Sequence, residues 1–600
     1  MPSESSRSGL PGSSATKPSQ IVVLDAGGQY CHLIARKVRE LGVSAEVRPS
    51  ETPAAELAQA RALIISGGPN SVYDPGSPTV DPAIFGSGQP VLGICYGQQL
   101  MAQSLGGAVR KGEKGEYGLA TLAAQDSPLF AGVPARQQVW MSHRDTVAAA
   151  PDGFQVIGAT ETCPVAAIAD PVRRLYGVQF HPEVAHTTHG REILANFLFR
   201  ICGCEKDWAP RDQIQRLEEQ IRQTVGDRNV FFFVSGGVDS TVAFTLCLRA
   251  LGPQRLRGVY VDTGLMREGE TEFVRALFDS LGAGVVAVEH AQDRFLPPLS
   301  AVCDPEQKRR IIGEEFVRVQ ERIIEERHLL DGHWILGQGT IYPDTIESGG
   351  TQKAAVIKTH HNRVPGIQRL MAANRIVEPL SAFYKDEVRE IGRALGLPED
   401  LLERHPFPGP GLAIRCLCAG RTRGVTPAQG GYLIPIRSVG VQGDSRTYAA
   451  VLALDCNPSA AVQETATELI NQVSGINRVM ARVDSAVPLA AMQVTESRLT
   501  PIRLARLRRA DAVVRRLSHE SGFDRKIWQF PVVLIPLGSS AAPDSVVLRP
   551  VHSVDGMTAQ AVLIDEPLLG ALAAELLRIE GVCAVFQDLT HKPPGTIEWE

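Results

Sequence analysis

The stretch Pro90-Val-Leu-Gly-Ile-Cys-Tyr-Gly-Gln-Gln99 reads as a strand, a tight turn and a helix start. Gly93 and Gly97 bracket Cys95 and allow the strained turn that projects a nucleophile above a sheet. The thiol then lies at a helix N-terminus, where the positive end of the dipole favours thiolate. A cysteine that only fills a core needs no such flanking glycines.

Two further phrases complete this site. Phe180-His-Pro-Glu183 follows the apolar run Leu175-Tyr-Gly-Val-Gln. On an extended strand residues i and i+2 share a face, so His181 and Glu183 point the same way. His181 would take the thiol proton and Glu183 would orient the imidazole. Ser66-Gly-Gly-Pro-Asn70 follows another strand, and the Gly68 and Tyr96 amides are assigned as the oxyanion hole.

Farther along, Phe231–Val234 leads into Ser235-Gly-Gly-Val-Asp-Ser240, and Thr241–Ala250 reads as a helix. Small residues between strand and helix (Ser235, Gly236, Gly237, Val238) form an anion cradle from backbone N–H groups and the helix dipole. Ser235, Ser240 and Thr241 can add hydroxyl donors. The loop lacks the Gly-Lys-Ser/Thr of a Walker A motif. Asp239 would repel phosphate by itself, so the reading makes it a Mg²⁺ ligand. Ile357-Lys-Thr-His-His-Asn362 could supply positive charge to a leaving phosphate.

Around these motifs the chain alternates short apolar strands with helical stretches, the pattern of an α/β fold. The boundaries expected are a disordered tail at 1–20, a first α/β domain at 21–206 and a second at 207–411. Two C-terminal α+β modules follow at 412–490 and 491–600. These carry a weak internal repeat: ELINQVSGINRVMARV in one copy stands against ELLRIEGVCAVFQDLT in the other. Each copy fits a β-β-α-β unit. Between them, the arginines of Arg503–Arg509 are read as a solvated helix face.

The 600 residues carry a net charge of −5, with 44% hydrophobic content and 11 cysteines in no framework spacing. No basic stripe marks a nucleic-acid partner. The scattered cysteines point to reduced thiols in the cytoplasm. No apolar run approaches the ~20 residues of a membrane helix.

The GxCxGxQ and HPE phrases resemble the class I, triad-type glutamine amidotransferases. That resemblance implies attack on a glutamine side-chain amide, a thioester and release of ammonia. It also implies that Gln99 holds the glutamine side chain and Asp145 its α-amino group. The pattern departs at Arg144, where relatives usually have Gly. SGGVDS resembles the PP-loop ATP pyrophosphatases, with ATP as co-substrate cleaved to AMP and pyrophosphate.

RHPFPGPGL (404–412), RSVGVQGDSR (437–446), SVDGMTA (553–559) and KPPGTIEWE (592–600) resemble the GMP synthetase (glutamine-hydrolysing) family. This implies xanthosine 5′-monophosphate (XMP) as the substrate adenylated at its C2 oxygen, with Arg267, Asp444, Arg446, Gln529, Lys592 and Glu598 contacting it. Compact members have a single C-terminal module, which dimerises. Here the two copies look complementary, which predicts a monomer with an internal pseudo-dimer; a homodimer is the alternative. The rival functional readings are an amidotransferase on another acceptor and an inactive nucleotide sensor.

Overall fold

The computed structural model describes residues 19–28, 30–184, 186–282, 285–341, 364–442, 445–473, 475–553 and 558–600, with only the backbone given at 113–114, 442, 445–446 and 471. The chain divides into two compact units, Met1–Asp212 and Gln213–Glu600.

The first unit is built on a nine-stranded sheet. Its parallel half runs Ala45–Pro49, Ile21–Asp25, Ala62–Ile65, Val91–Ile94, Leu175–Val178. Beyond the edge strand Ala45–Pro49, which carries Glu46 and Arg48, these strands are nearly continuous apolar runs because helices and loops cover both faces. One face buries Ile21, Val23, Ile64, Leu92 and Ile94 with Ile34 and Val38. The other buries Val22, Leu24, Leu63, Ile65 and Val91 with Leu100 and Met101. The antiparallel half adds Ala167–Asp170, Gln155–Ala159, Ala108–Ala124 and Arg136–Ala149.

The second unit opens with five parallel strands in the order Val286–His290, Leu256–Asp262, Asn229–Val234, Trp334–Gly337, Ile376–Val377. The order reverses direction at Asn229–Val234. Ligands of open α/β sheets sit beyond the carboxyl ends of the strands at such a switch point. SGGVDS follows that strand.

A seven-stranded sheet follows, in the order 426–428, 431–442, 445–454, 476–485, 582–588, 544–548, 532–535. Both copies of the repeat contribute. In each, an antiparallel pair is followed by a helix (Ala460–Gln472 or Glu566–Leu576) and a parallel third strand. The two third strands, Ile476–Ser485 and Val582–Asp588, pair antiparallel at the centre.

The helix Pro501–Glu520 corrects one expectation. Of the arginines at 503–509, only Arg509 is exposed. Arg503 is buried and donates to Asp544 at 2.7 and 2.9 Å. Arg506 also reaches Asp544, and Arg508 donates to the Met266 and Gly264 carbonyls. Their partners come from distant strands and loops, so local composition does not reveal them. Among the described residues, no helix is long and apolar enough to cross a membrane.

Candidate functional sites

Cys95 sits between Val91–Ile94 and the helix Tyr96–Ser104, with φ 54° and ψ −105°. Positive φ at a side-chain-bearing residue costs about 1–3 kcal/mol and persists only where the surroundings enforce it. Here the enforcement is visible. The Cys95 amide donates to Val178 O at 2.7 Å. A Cβ on Gly93 would lie 2.5 Å from Gly97 O, and one on Gly97 would lie 2.3 Å from Ile65 O. Only glycines permit so close an approach of strand, turn and helix.

His181 Nδ1 is 2.7 Å from Glu183 Oε1, and both side chains are buried. The strand ends at Val178, so His181 and Glu183 meet across a turn rather than by strand alternation. Pro182 ends the ladder. The turn is fixed by His181 N–H to Trp140 O at 3.0 Å, and by Thr187 Oγ1 donating to His181 O at 2.6 Å. Burial, the largest single influence on His181, opposes its charged form. Glu183 and Cys95 outweigh it and hold the imidazole well above its usual value.

The 66–70 loop lies over this pair. A Cβ on Gly67 would be 3.1 Å from His181 Cε1 and 3.6 Å from Cys95 Cβ. One on Gly68 would be 2.6 Å from Ala26 O and 3.3 Å from the Tyr96 ring. Tyr96 opens its helix, so its amide has no intrahelical acceptor. Gln99 Nε2 donates to Asp145 O at 2.7 Å and Gln179 Oε1 at 3.1 Å. With both amide hydrogens engaged, its Oε1 is the atom left for a substrate. Asp145 is buried, whereas Arg144 points to solvent from the same strand, so the departure from Gly leaves the inner face unchanged.

In the second unit the helix begins at Val238, earlier than expected, with Gly237 as N-cap. Val238, Asp239 and Ser240 therefore form its first turn. Gly236 adopts φ +73°. Within the loop, Gly237 N–H donates to Ser235 Oγ at 3.2 Å and Ser235 N–H to Ser240 Oγ at 3.3 Å. Thr241 is fully buried, and its hydroxyl donates to Gly237 O at 2.9 Å. It stiffens the loop rather than offering a donor to a ligand. Gly339 closes in from the neighbouring strand end, where a Cβ would lie 2.7 Å from Ser240 Cα.

Asp239 accepts from Lys385 Nζ at 2.6 and 2.7 Å. Mg²⁺ is usually held by one or two carboxylates plus substrate phosphates, and Asp239 is the right kind of ligand. It would have to exchange the Lys385 ammonium for the metal.

The residues assigned to XMP are partly gathered. The Arg267 guanidinium stacks 4.4 Å from the Phe407 ring centroid and lies 3.6 Å from Asp511. Burial pushes it down to about 10. Glu598 accepts both Arg415 Nε and an Arg415 terminal nitrogen, at 2.9 and 2.7 Å. Gln529 Nε2 is 3.3 Å from Glu598 Oε1. Arg415 also lies over the Phe407 ring, 5.5 Å from its centroid. The RHPFPGPGL segment is held to the loop bearing Arg267: Leu412 N–H donates to Leu265 O at 2.8 Å, and Gly411 has φ +66°.

Lys592 pairs through its backbone with Ala559. Gly440 bridges Gly595, which sets the terminal segment beside the hairpin leading to Asp444. Asp444, the 342–363 segment with its Lys358 and His360, and residues 554–557 of SVDGMTA lie outside the described residues. Arg446 is described as backbone only, within Ser445–Leu454.

Three family models match the chain: glutamine amidotransferase class-I over 22–201, NAD synthase over 212–295 and GMP synthase C terminal domain over 517–599. A Symbiobacterium thermophilum protein named GMP synthase [glutamine-hydrolyzing] is 47% identical, covering 97% of this chain and 99% of its own. The Streptomyces coelicolor protein of that name is 41% identical, covering 98% and 99%. A probable GMP synthase [glutamine-hydrolyzing] from Leptospira interrogans is 40% identical, covering 97% and 99%.

The chain belongs to the glutamine-hydrolysing GMP synthase family.

The motifs left several side chains around the candidate sites unread. Gln179 stands one residue before FHPE and donates to the Cys95 sulfur at 3.5 Å. Lys385 was legible only as a helix start, and Arg415 only as the end of RHPFPGPGLAIR. Each acts on a partner more than 80 positions away in the chain. Only the fold supplies those partners.

Proposed function

We propose that the first unit hydrolyses glutamine at Cys95 and that the second uses the ammonia to convert XMP to GMP. Glutamine-dependent GMP synthesis by an ATP-using ligase is the activity that the class I amidotransferase, PP-loop and GMP synthase C-terminal domains carry together. The observation that carries the residue assignments is the enforced elbow at Cys95 beside a buried His181–Glu183 pair.

Cys95 attacks the glutamine amide carbon while His181 relays the proton to the departing ammonia. The Gly68 and Tyr96 amides receive the oxyanion, with Gln99 and Asp145 holding the substrate. Water then hydrolyses the thioester.

In the second unit, Ser235–Ser240 cradles the ATP phosphates with backbone amides. Arg267, Gln529, Glu598, Lys592, Asp444 and Arg446 hold XMP while its C2 oxygen displaces pyrophosphate from the α-phosphorus. Ammonia then displaces AMP. Mg²⁺, bound through Asp239, would neutralise phosphate charge. Asp511 faces both Arg267 Nε and an Arg415 terminal nitrogen, at 3.6 and 4.0 Å, without a hydrogen bond to either, which leaves both nitrogens a donor for a polar ligand. Glu598 has lone pairs beyond those Arg415 uses, enough to accept from sugar hydroxyls.

We also propose that the protein is cytoplasmic and that its paired β-β-α-β modules imitate a dimer within one chain. The antiparallel pairing of their third strands supports this. The acceptor is tested by following XMP's ultraviolet absorbance with ATP, Mg²⁺ and ammonium. The spectrum should shift to that of GMP; no change would place the chemistry on another acceptor.

A further inference from the structure

The sulfur of Cys95 has more than His181 to interact with. Its thiol lies 3.8 Å from the Ser142 carbonyl, an acceptor suited to S–H. From the core side, Gln179 Nε2 lies 3.5 Å from Sγ, and Gln179 is fully buried. Its amide cannot turn over freely, because Gln179 Oε1 accepts from Gln99 Nε2 at 3.1 Å and its backbone N–H is fixed to Ala166 O at 2.8 Å. Gln99 is fixed in turn by Asp145 O at 2.7 Å. That same carbonyl takes His143 Nδ1–H at 3.0 Å. The N–H face of Gln179 is thus aimed at the sulfur by a hydrogen-bond relay.

We propose that Gln179 is a further catalytic residue of the glutaminase, donating a hydrogen bond to the Cys95 thiolate. A buried donor gains most from a charged acceptor and little from a neutral thiol. Gln179 therefore favours the nucleophilic form, while Ser142 O serves the protonated one. The titratable groups around the sulfur are His181 and Glu183 on the following turn, with Cys163 from the loop before Ala167–Asp170. His143 and Glu116 stand behind them, 3.2 Å apart. None of these offers a fixed neutral N–H to the sulfur. Gln99 becomes a positioning residue as well as a substrate contact.

This inference rests on Cys95 being the nucleophile. The test is the rate of iodoacetamide alkylation at Cys95 in the full chain, read by peptide mass spectrometry because the exposed Cys456 would react too. Gln179→Met removes the donor, and Gln179→Glu keeps the shape while replacing N–H by oxygen. Loss of a hydrogen bond to a charged group corresponds to about a tenfold to hundredfold effect. Alkylation near neutral pH should fall by that factor in both variants and recover at higher pH, with glutamine turnover falling in parallel. If either variant melts like the parent yet alkylates at the parental rate across pH, the role of Gln179 is overturned. If Cys95→Ala retains glutamine-dependent activity, the nucleophile assignment itself fails.

Discussion

Cys95 at φ 54° is a strained residue held by its neighbours, and the charged form of His181 is favoured against burial. Glu183 is the chief influence holding the imidazolium. A raised histidine stabilises the fold fully below its ordinary value of about 6.5 and loses that contribution as pH rises through the higher folded value. Melting temperature followed against pH should therefore show a decline above neutrality that Glu183→Gln flattens. The same variant should lose about a hundredfold or more in glutamine turnover, the scale of general acid–base catalysis. The GxCxGxQ spacing and the HPE triplet made these residues readable. Gln179 was not readable, because a glutamine at the end of an apolar run gives no sign of which sulfur lies beyond it.

At the level of elements, the strand–loop–helix from Asn229 to Leu251 carries the proposed phosphate cradle, and Gly339 fits against the helix's first turn. Gly339→Ala would push a Cβ to 2.7 Å from backbone, and backbone cannot rotate away. Overpacking of this kind costs about 1–3 kcal/mol. Ammonium-dependent GMP formation, measured as pyrophosphate release, should fall while glutamine hydrolysis by the other unit persists. The strand–loop–helix succession follows from a pattern of a few residues, so it was legible in the sequence. The arginine helix Pro501–Glu520 misled for the converse reason: its partners, Asp544 and the 264–266 carbonyls, lie far away in the chain. Helix starts also shifted, since Gly237 caps the helix where sequence reading placed only loop.

Across the whole molecule, the second unit depends on buried charge shared between the two repeat copies. Asp588 Oδ2 receives Arg478 at 3.0 Å, Arg549 at 2.8 Å and Trp599 Nε1 at 2.9 Å. Burial alone would raise this carboxyl, but the two guanidiniums hold it below its usual value. Stability from such a group is present above about pH 3.9 and lost as pH falls further. Asp588→Asn should cost about 3–5 kcal/mol in urea unfolding, the penalty for leaving buried charge unpaired. Because both modules contribute to one sheet, light scattering should give a monomer near the 64.8 kDa chain mass; a concentration-independent dimer would contradict the internal pairing. The repeat was legible as matching phrases, but its antiparallel seam at Ile476–Ser485 and Val582–Asp588 was not.

The central claim is that ammonia made at Cys95 is what the second unit consumes. Cys95→Ala, assayed for GMP formation from XMP and ATP with glutamine and separately with ammonium, tests it most directly. The account predicts loss of the glutamine-dependent rate with the ammonium-dependent rate retained. Retention of glutamine-dependent synthesis would contradict it.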